Sequence, residues 1–151
     1  GLGDVYKRQL AADPNAEFAG ICQGKQIGKI LNDSANIIGI YKERLYLYGT
    51  PWCSPEAVQA ERAPLGGIVF LKKSDAGAVT DLPEDKRQLL MLVHCKSPFW
   101  REGLLDQCLN TIQRVEPSVW IRQLESHADE AAADVLKPAL DTIENDTVAE
   151  Y

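Results

Sequence analysis

The sequence predicts a layered α/β domain in which helices flank a β-sheet. Residues 29–48 contain short runs of β-branched and aromatic residues, which are typical of strands. Residues 67–71 form an apolar run without alternation, which indicates a strand buried on both faces. Residues 102–115 carry apolar residues three and four positions apart, the spacing of a helix with one buried face. Strands and helices in this order pack as layers around one core.

Strands are predicted first over residues 29–31, 36–41 and 44–48. Lys42 and Glu43 separate the second strand from the third, and a two-residue break of this kind predicts a β-hairpin. Residues 49–66 are rich in glycine and proline and are predicted to form a long loop, a kind of segment that is often functional. The run at 67–71 is predicted to lie at the centre of the sheet.

Helices follow this strand-rich half of the chain. One is predicted over residues 83–95, which begin with proline and two carboxylates, and another over residues 102–115. Residues 119–124 alternate enough to predict an edge or near-edge strand. Residues 128–143 predict a last helix, which Pro138 interrupts or kinks.

The composition excludes several classes of protein. The chain has 16 Lys and Arg against 22 Asp and Glu, a net charge of −6. Without a basic stripe no nucleic-acid partner is expected, because phosphate binding depends on clustered cations. No run approaches the roughly 20 apolar residues that cross a bilayer, and no secretory leader is recognisable, so no membrane partner and a cytoplasmic location are predicted.

The cysteines and the histidines are interpreted as structural. Cys22, Cys53, Cys95 and Cys108 show neither CxxC pairing nor zinc-ligand spacing, so packed, reduced thiols are predicted. His94 and His127 lie in no recognised nucleophile or metal pattern, and the same interpretation is given to them. Three large aromatic side chains are predicted to pack as apolar anchors: Trp52, Phe99 and Trp100.

The first nine residues, Gly-Leu-Gly-Asp-Val-Tyr-Lys-Arg-Gln, match the translation of a sequencing adapter and are left out of the fold reasoning. We therefore expect the chain to be a fragment without its natural N-terminus. Residues 10–145 are assigned to a partial α/β domain, and residues 146–151 to an acidic tail.

Several stretches in one order make the sequence similar to a known family. They are Ile-Leu-Asn-Asp-Ser at 30–34, Tyr-Gly-Thr-Pro-Trp at 48–52, Ala-Pro-Leu-Gly-Gly-Ile-Val-Phe-Leu at 63–71, Ser-Pro-Phe-Trp at 97–100 and Val-Trp-Ile-Arg at 119–122. Together they resemble the C-terminal part of P-loop kinase-like domains related to HPr kinase and ATP-dependent phosphoenolpyruvate carboxykinase. The resemblance covers nearly all of the chain beyond the first nine residues.

The resemblance implies a P-loop fold whose glycine-rich loop holds nucleotide phosphates. No GxxxxGK[ST] stretch occurs in the sequence, and the family carries that loop N-terminal to the stretch that contains Leu31. ATP and Mg²⁺ are therefore implied for the intact parent protein, and no cofactor is expected for this fragment.

Asp33 matches the first of two acidic residues that the family often carries. The resemblance implies that Asp33 is catalytic, either as a Mg²⁺ ligand or as the acceptor of a proton from the attacking hydroxyl. Ser34 stands where the second acid is usual, which puts catalysis by an acidic pair in question. The alternative for Asp33 is a turn between strands.

Thr50 and Arg62 belong to the stretch that resembles the family's substrate-side loop. A guanidinium there could hold a phosphoryl oxygen with two hydrogen bonds. The alternative is that Thr50 shapes a turn and Arg62 is solvated.

Two functions follow as hypotheses. The first is a fragment, inactive by itself, of an ATP-dependent kinase whose acceptor is an unknown protein, peptide or small molecule. The second is a kinase-derived binding or regulatory module that has lost catalysis, which Ser34 favours.

Overall fold

The computed structural model describes residues 9–11, 21, 25, 27, 29–32, 36–52, 62–95, 100–127 and 129–147. Its strands are β1 (Gln9–Ala11), β2 (Lys29–Asn32), β3 (Ile37–Tyr41), β4 (Arg44–Tyr48), β5 (Arg62–Pro64), β6 (Gly67–Lys72), β7 (Ala78–Thr80) and β8 (Trp120–Glu125). Its helices are α1 (Glu84–His94), α2 (Leu104–Val115) and α3 (Glu130–Thr147), and a short 3₁₀ turn covers Glu116–Ser118. The predicted α/β class is confirmed at the level of a small mixed α/β protein.

The first three-stranded sheet has the order β6-β8-β7, with β8 parallel to β6 and antiparallel to β7. One face, through Phe70 and Ile121, packs against Met91 of α1 and Ile112 of α2. The other face packs on α3, where the side chains form a second core cluster. That cluster includes Leu124, Ala132, Ala133 and Leu136, with Val69 and Val79 packed against it. The sheet therefore lies between two helical layers, as alternating side chains on both faces require.

The second three-stranded sheet is antiparallel, with the order β3-β4-β5. The predicted hairpin is confirmed, and Lys42 and Glu43 adopt positive φ angles of 49° and 64°, which fit the two-residue turns that match strand twist. Gly39 leaves room for the ring of Tyr48, because a Cβ there would lie 2.7 Å from Cε2 of that ring. On the opposite face Leu45 packs against the cluster between the first sheet and α1 and α2.

A parallel pair joins β1 to β2, with Gln9 opposite Lys29 and Leu10 opposite Ile30. Gln9, the last residue of the segment that matches an adapter translation, thus takes part in a strand. Leu31 on β2 is fully buried, and Ile27 just before β2 packs into the cluster beneath α3. Among the described elements, no helix combines the length and apolar character needed to cross a bilayer.

Two strand predictions were wrong in part. The segment predicted to be a loop contains β5, which pairs with β4 and places Pro64 on an outer strand, where a missing N–H is tolerated. In the first sheet β8 lies between β6 and β7, whereas the sequence favoured the 67–71 run as the centre. The exposed fractions of the side chains agree with this strand order, since Ile121 and Leu124 of β8 are 1% exposed while Leu71 of β6 is 42% exposed.

Candidate functional site

The residues predicted to be functional fall at one end of the antiparallel sheet, as far as the structure describes them. Ile37 is paired with Tyr48, and Tyr48 is paired with Arg62, so the three form one row across β3, β4 and β5. Thr50 follows Tyr48 by two residues. The strand register therefore brings the backbones of Thr50 and Arg62 to the same end of the sheet. Asp33, predicted to be both catalytic and a metal ligand, lies outside the described residues.

Arg62 is exposed, and aromatic rings hold its guanidinium. The guanidinium carbon lies 4.4 Å from the ring centroid of Tyr46 and 5.1 Å from that of Tyr41. Stacking of this kind leaves the N–H donors at the edge of the guanidinium plane, where an anion can reach them. Both rings belong to residues nearer the hairpin than Arg62, so the cationic group rests over the middle of the sheet face. The rings therefore restrict Arg62 without neutralising it.

Thr50 differs from this arrangement, because its side chain is buried and only 3% exposed. The next two residues, Pro51 and Trp52, are exposed. Trp52 was predicted to be a packed anchor and is 64% exposed, so that prediction was wrong. The same correction applies to Trp100, which is 86% exposed, while Phe99 lies outside the described residues.

The two histidines make contacts that suit structural roles. His94 ends α1 and its ring lies against Phe70, with 5.4 Å between centroids. The Nε2 atom of His127 lies 2.7 Å from Oδ1 of Asp75 on an exposed surface. In the part of the chain that the structure covers, no group of three or more His, Cys, Asp or Glu could hold a metal ion.

The structure also has a concave region that the sequence did not predict. It is an open groove of about 300 Å³, lined by Val79, Asp81, Trp120, Arg122, Ala139 and Thr142. Arg122 donates from Nε to Oδ1 of Asp81 at 2.6 Å and lies 4.9 Å from the ring centroid of Trp120. The only sequence signal was the presence of Arg122 in the strand predicted over residues 119–124.

The chemistry of this groove differs from that of the sheet end. Arg122 is already paired with a carboxylate, and it also donates to the backbone oxygen of Ile121 at 2.8 Å. An incoming anion would have to displace Asp81, whose side chain is 83% exposed. Arg62, by contrast, is held by neutral rings. The guanidinium of Arg62, over the face of the antiparallel sheet, is therefore the better candidate for an anion that binds and leaves.

Searches among protein-family models, curated proteins and solved structures found no match to this chain.

Proposed function

We propose that this chain is the acceptor-side part of an ATP-dependent P-loop kinase-like protein, of the type that HPr kinase and phosphoenolpyruvate carboxykinase represent. The observation that carries the proposal is the row of Ile37, Tyr48 and Arg62. It gathers at one sheet end the segments that the resemblance assigns to the substrate side. Asp33, which the resemblance makes catalytic, precedes Ile37 by four residues in the sequence.

The proposed chemistry divides between two side chains. The acceptor hydroxyl attacks the γ-phosphorus of ATP, the bond between that phosphorus and the ADP oxygen breaks, and the carboxylate of Asp33 takes the hydroxyl proton. Arg62 contacts oxygens of the transferred group, where a cation stabilises negative charge. Its exposed, ring-supported guanidinium supports this role.

The chain does not itself fit the binding of ATP and Mg²⁺. Its sequence contains no GxxxxGK[ST] loop, and the described residues hold no cluster suited to a metal ion. We therefore assign both groups to the intact parent protein. This chain alone is expected to neither bind ATP nor transfer phosphate, because positioning and electrostatic stabilisation supply most of phosphoryl-transfer catalysis.

A second candidate is a binding or regulatory module that keeps the kinase-like fold without catalysis. Ser34 favours it, because one carboxylate cannot both bind the metal and accept the proton at once. The reading frame upstream of this chain in its source DNA separates the candidates. A GxxxxGK[ST] loop there supports the kinase, and its absence overturns that proposal.

The decisive experiment uses the intact parent protein and measures Mg²⁺-dependent ATP hydrolysis, in which water replaces the unknown acceptor. Asp33→Asn should lower the rate at least about 100-fold, the usual contribution of a general base. Arg62→Ala should lower it more than Arg44→Ala, the matched control at the hairpin end of the same sheet. ATP binding that survives a Lys→Ala change in the upstream loop would overturn the kinase assignment.

A further inference from the structure

Two cysteines meet in the helical layer on the face of the first sheet that carries Phe70. Cys95 directly follows α1, and its backbone N–H donates to the carbonyl oxygens of Met91 at 3.0 Å and Leu92 at 3.3 Å. Cys108 lies on α2, the neighbouring helix. Met91, four residues before Cys95, and Ile112, four residues after Cys108, pack in the same core cluster, and the two thiols are hydrogen-bonded to each other. Twelve residues of chain separate them, and neither forms a disulfide in this structure.

The two thiols differ in accessibility. Cys95 is exposed as a residue, so a reagent in solvent can reach it. Cys108 is half-buried and packs against the core cluster that contains Ile112 and Ile121. Although Cys95 is exposed as a residue, its thiol is partly shielded from water, and this desolvation raises the pKa of the Cys95 thiol. The neighbouring Cys108 raises the pKa of Cys95 further. The raised pKa of Cys95 means that its attacking thiolate forms only in a small fraction of molecules at neutral pH.

We infer that Cys95 and Cys108 form a thiol-modification site that small disulfide molecules convert into an intramolecular disulfide. The Cys95 thiol first loses its proton to solvent. The resulting thiolate attacks one sulfur of the reagent. This forms a mixed disulfide and releases the first reagent thiol. Cys108 then attacks the Cys95 sulfur and releases the second reagent thiol. The protein loses two hydrogen atoms in all, and the reagent disulfide gains them as two thiols.

The geometry assigns Cys95 as the entry position and Cys108 as the resolving one. The hydrogen bond between the two thiols brings their sulfur atoms close together, which a disulfide between them requires. The bond would tie the C-terminal end of α1 to α2. Both helices pack on the cluster that also receives Leu45 of the antiparallel sheet.

The test treats the reduced chain with oxidised glutathione and maps cysteine-containing peptides by mass. The expected product is a peptide pair linked through Cys95 and Cys108, two hydrogen atoms lighter than the reduced pair. Cys108→Ser should accumulate the glutathione adduct on Cys95, because its resolving thiol is gone. A Cys22→Ser/Cys53→Ser variant, the matched control, should still form the linked pair.

Three outcomes would overturn the inference. They are failure to form the linked pair in the wild-type chain, preferential linkage to Cys22 or Cys53, and an unchanged product in Cys108→Ser. Circular dichroism before oxidation checks that each variant is folded. If Cys108→Ser fails to fold, protection of Cys95 and Cys108 from alkylation in the oxidised wild-type chain decides instead, since free thiols after oxidation would equally overturn the inference.

Discussion

The carboxylate of Glu116 accepts a hydrogen bond from Nε of Arg87 at 2.5 Å, and the Glu116 side chain is only 4% exposed. Arg87 lies on α1 and also donates from Nη1 to the backbone oxygen of Leu82 at 2.7 Å. Glu116 begins the 3₁₀ turn that follows α2. One guanidinium therefore joins the start of the helical layer to the point where the chain turns into β8.

Replacing Arg87 with methionine should lower the stability of the protein, because the buried carboxylate of Glu116 loses its partner. The change keeps most of the apolar stem but leaves Glu116 as a buried carboxylate without its cation, which typically costs about 3 kcal/mol. We expect the free energy of unfolding, measured by urea denaturation, to fall by about that amount. Lys72→Met is the control, because Lys72 is 61% exposed and its pair with Glu125 should contribute less than about 1 kcal/mol. Equal losses in the two variants would contradict the structural role given to Arg87.

The hairpin turn offers a prediction of the opposite sign. Glu43 has a φ of 64°, a conformation that is strained for a residue with a Cβ and free for glycine. Glu43→Gly should therefore raise the free energy of unfolding by roughly 0.5–1 kcal/mol. Glu43→Ala removes the same carboxylate but keeps the Cβ, so it should give no such gain. If both variants gain the same stability, the gain comes from the loss of the Glu43 charge and not from relief of backbone strain.

Local chemistry in the sequence identified the hairpin, because β-branched runs and a two-residue break are sufficient to define it. The position of β8 could not be predicted in the same way. The alternation of residues 119–124 predicted an edge or near-edge strand, yet Asp81 pairs with Arg122 and Thr80 donates to the backbone oxygen of Gln123 at 3.5 Å. Both partners lie about 40 residues away in sequence. Pairing at that separation leaves no local pattern.

The candidate site shows the same limit. The sequence singled out Thr50 and Arg62, but the row that brings their backbones together depends on β5. This strand is three residues long, ends in proline and lies within a stretch whose composition indicates a loop. Its register comes from pairing with β4 and could not be deduced from its own residues. The stacking of Arg62 on Tyr46 follows from the same register.

Stability should also depend on pH through Cys95. The folded state raises the pKa of this thiol, so folding favours the protonated form. The contribution of the thiol is fully present below its pKa in the unfolded chain and is lost as the pH rises through the higher folded pKa. Urea unfolding under reducing conditions should therefore show the wild-type chain losing stability relative to Cys95→Ser between neutral and alkaline pH. A constant difference across that range would contradict the shift.

Pro138 provides the last prediction, because α3 runs without a break from Glu130 to Thr147 and contains this proline in its interior. The sequence predicted an interruption or a kink, since proline lacks an N–H and its ring crowds the carbonyl four residues earlier. Buried residues on both sides explain why the helix continues. Ala133 and Leu136 precede Pro138, Leu140 follows it, and all three pack into the cluster against β8.

Pro138→Ala should stabilise the protein for the same reason. Pro138 is exposed, so the change removes little packing, and it restores a donor for the carbonyl oxygen of Asp134. We expect the free energy of unfolding to rise by about 1–3 kcal/mol, less than the full propensity difference because the neighbouring turns have already adapted. Lys137→Ala, at the adjacent exposed position, should change it by less than about 0.5 kcal/mol. If Pro138→Ala leaves the urea midpoint at the wild-type value, the proline does not destabilise α3 and there is no cost for the packing against β8 to offset.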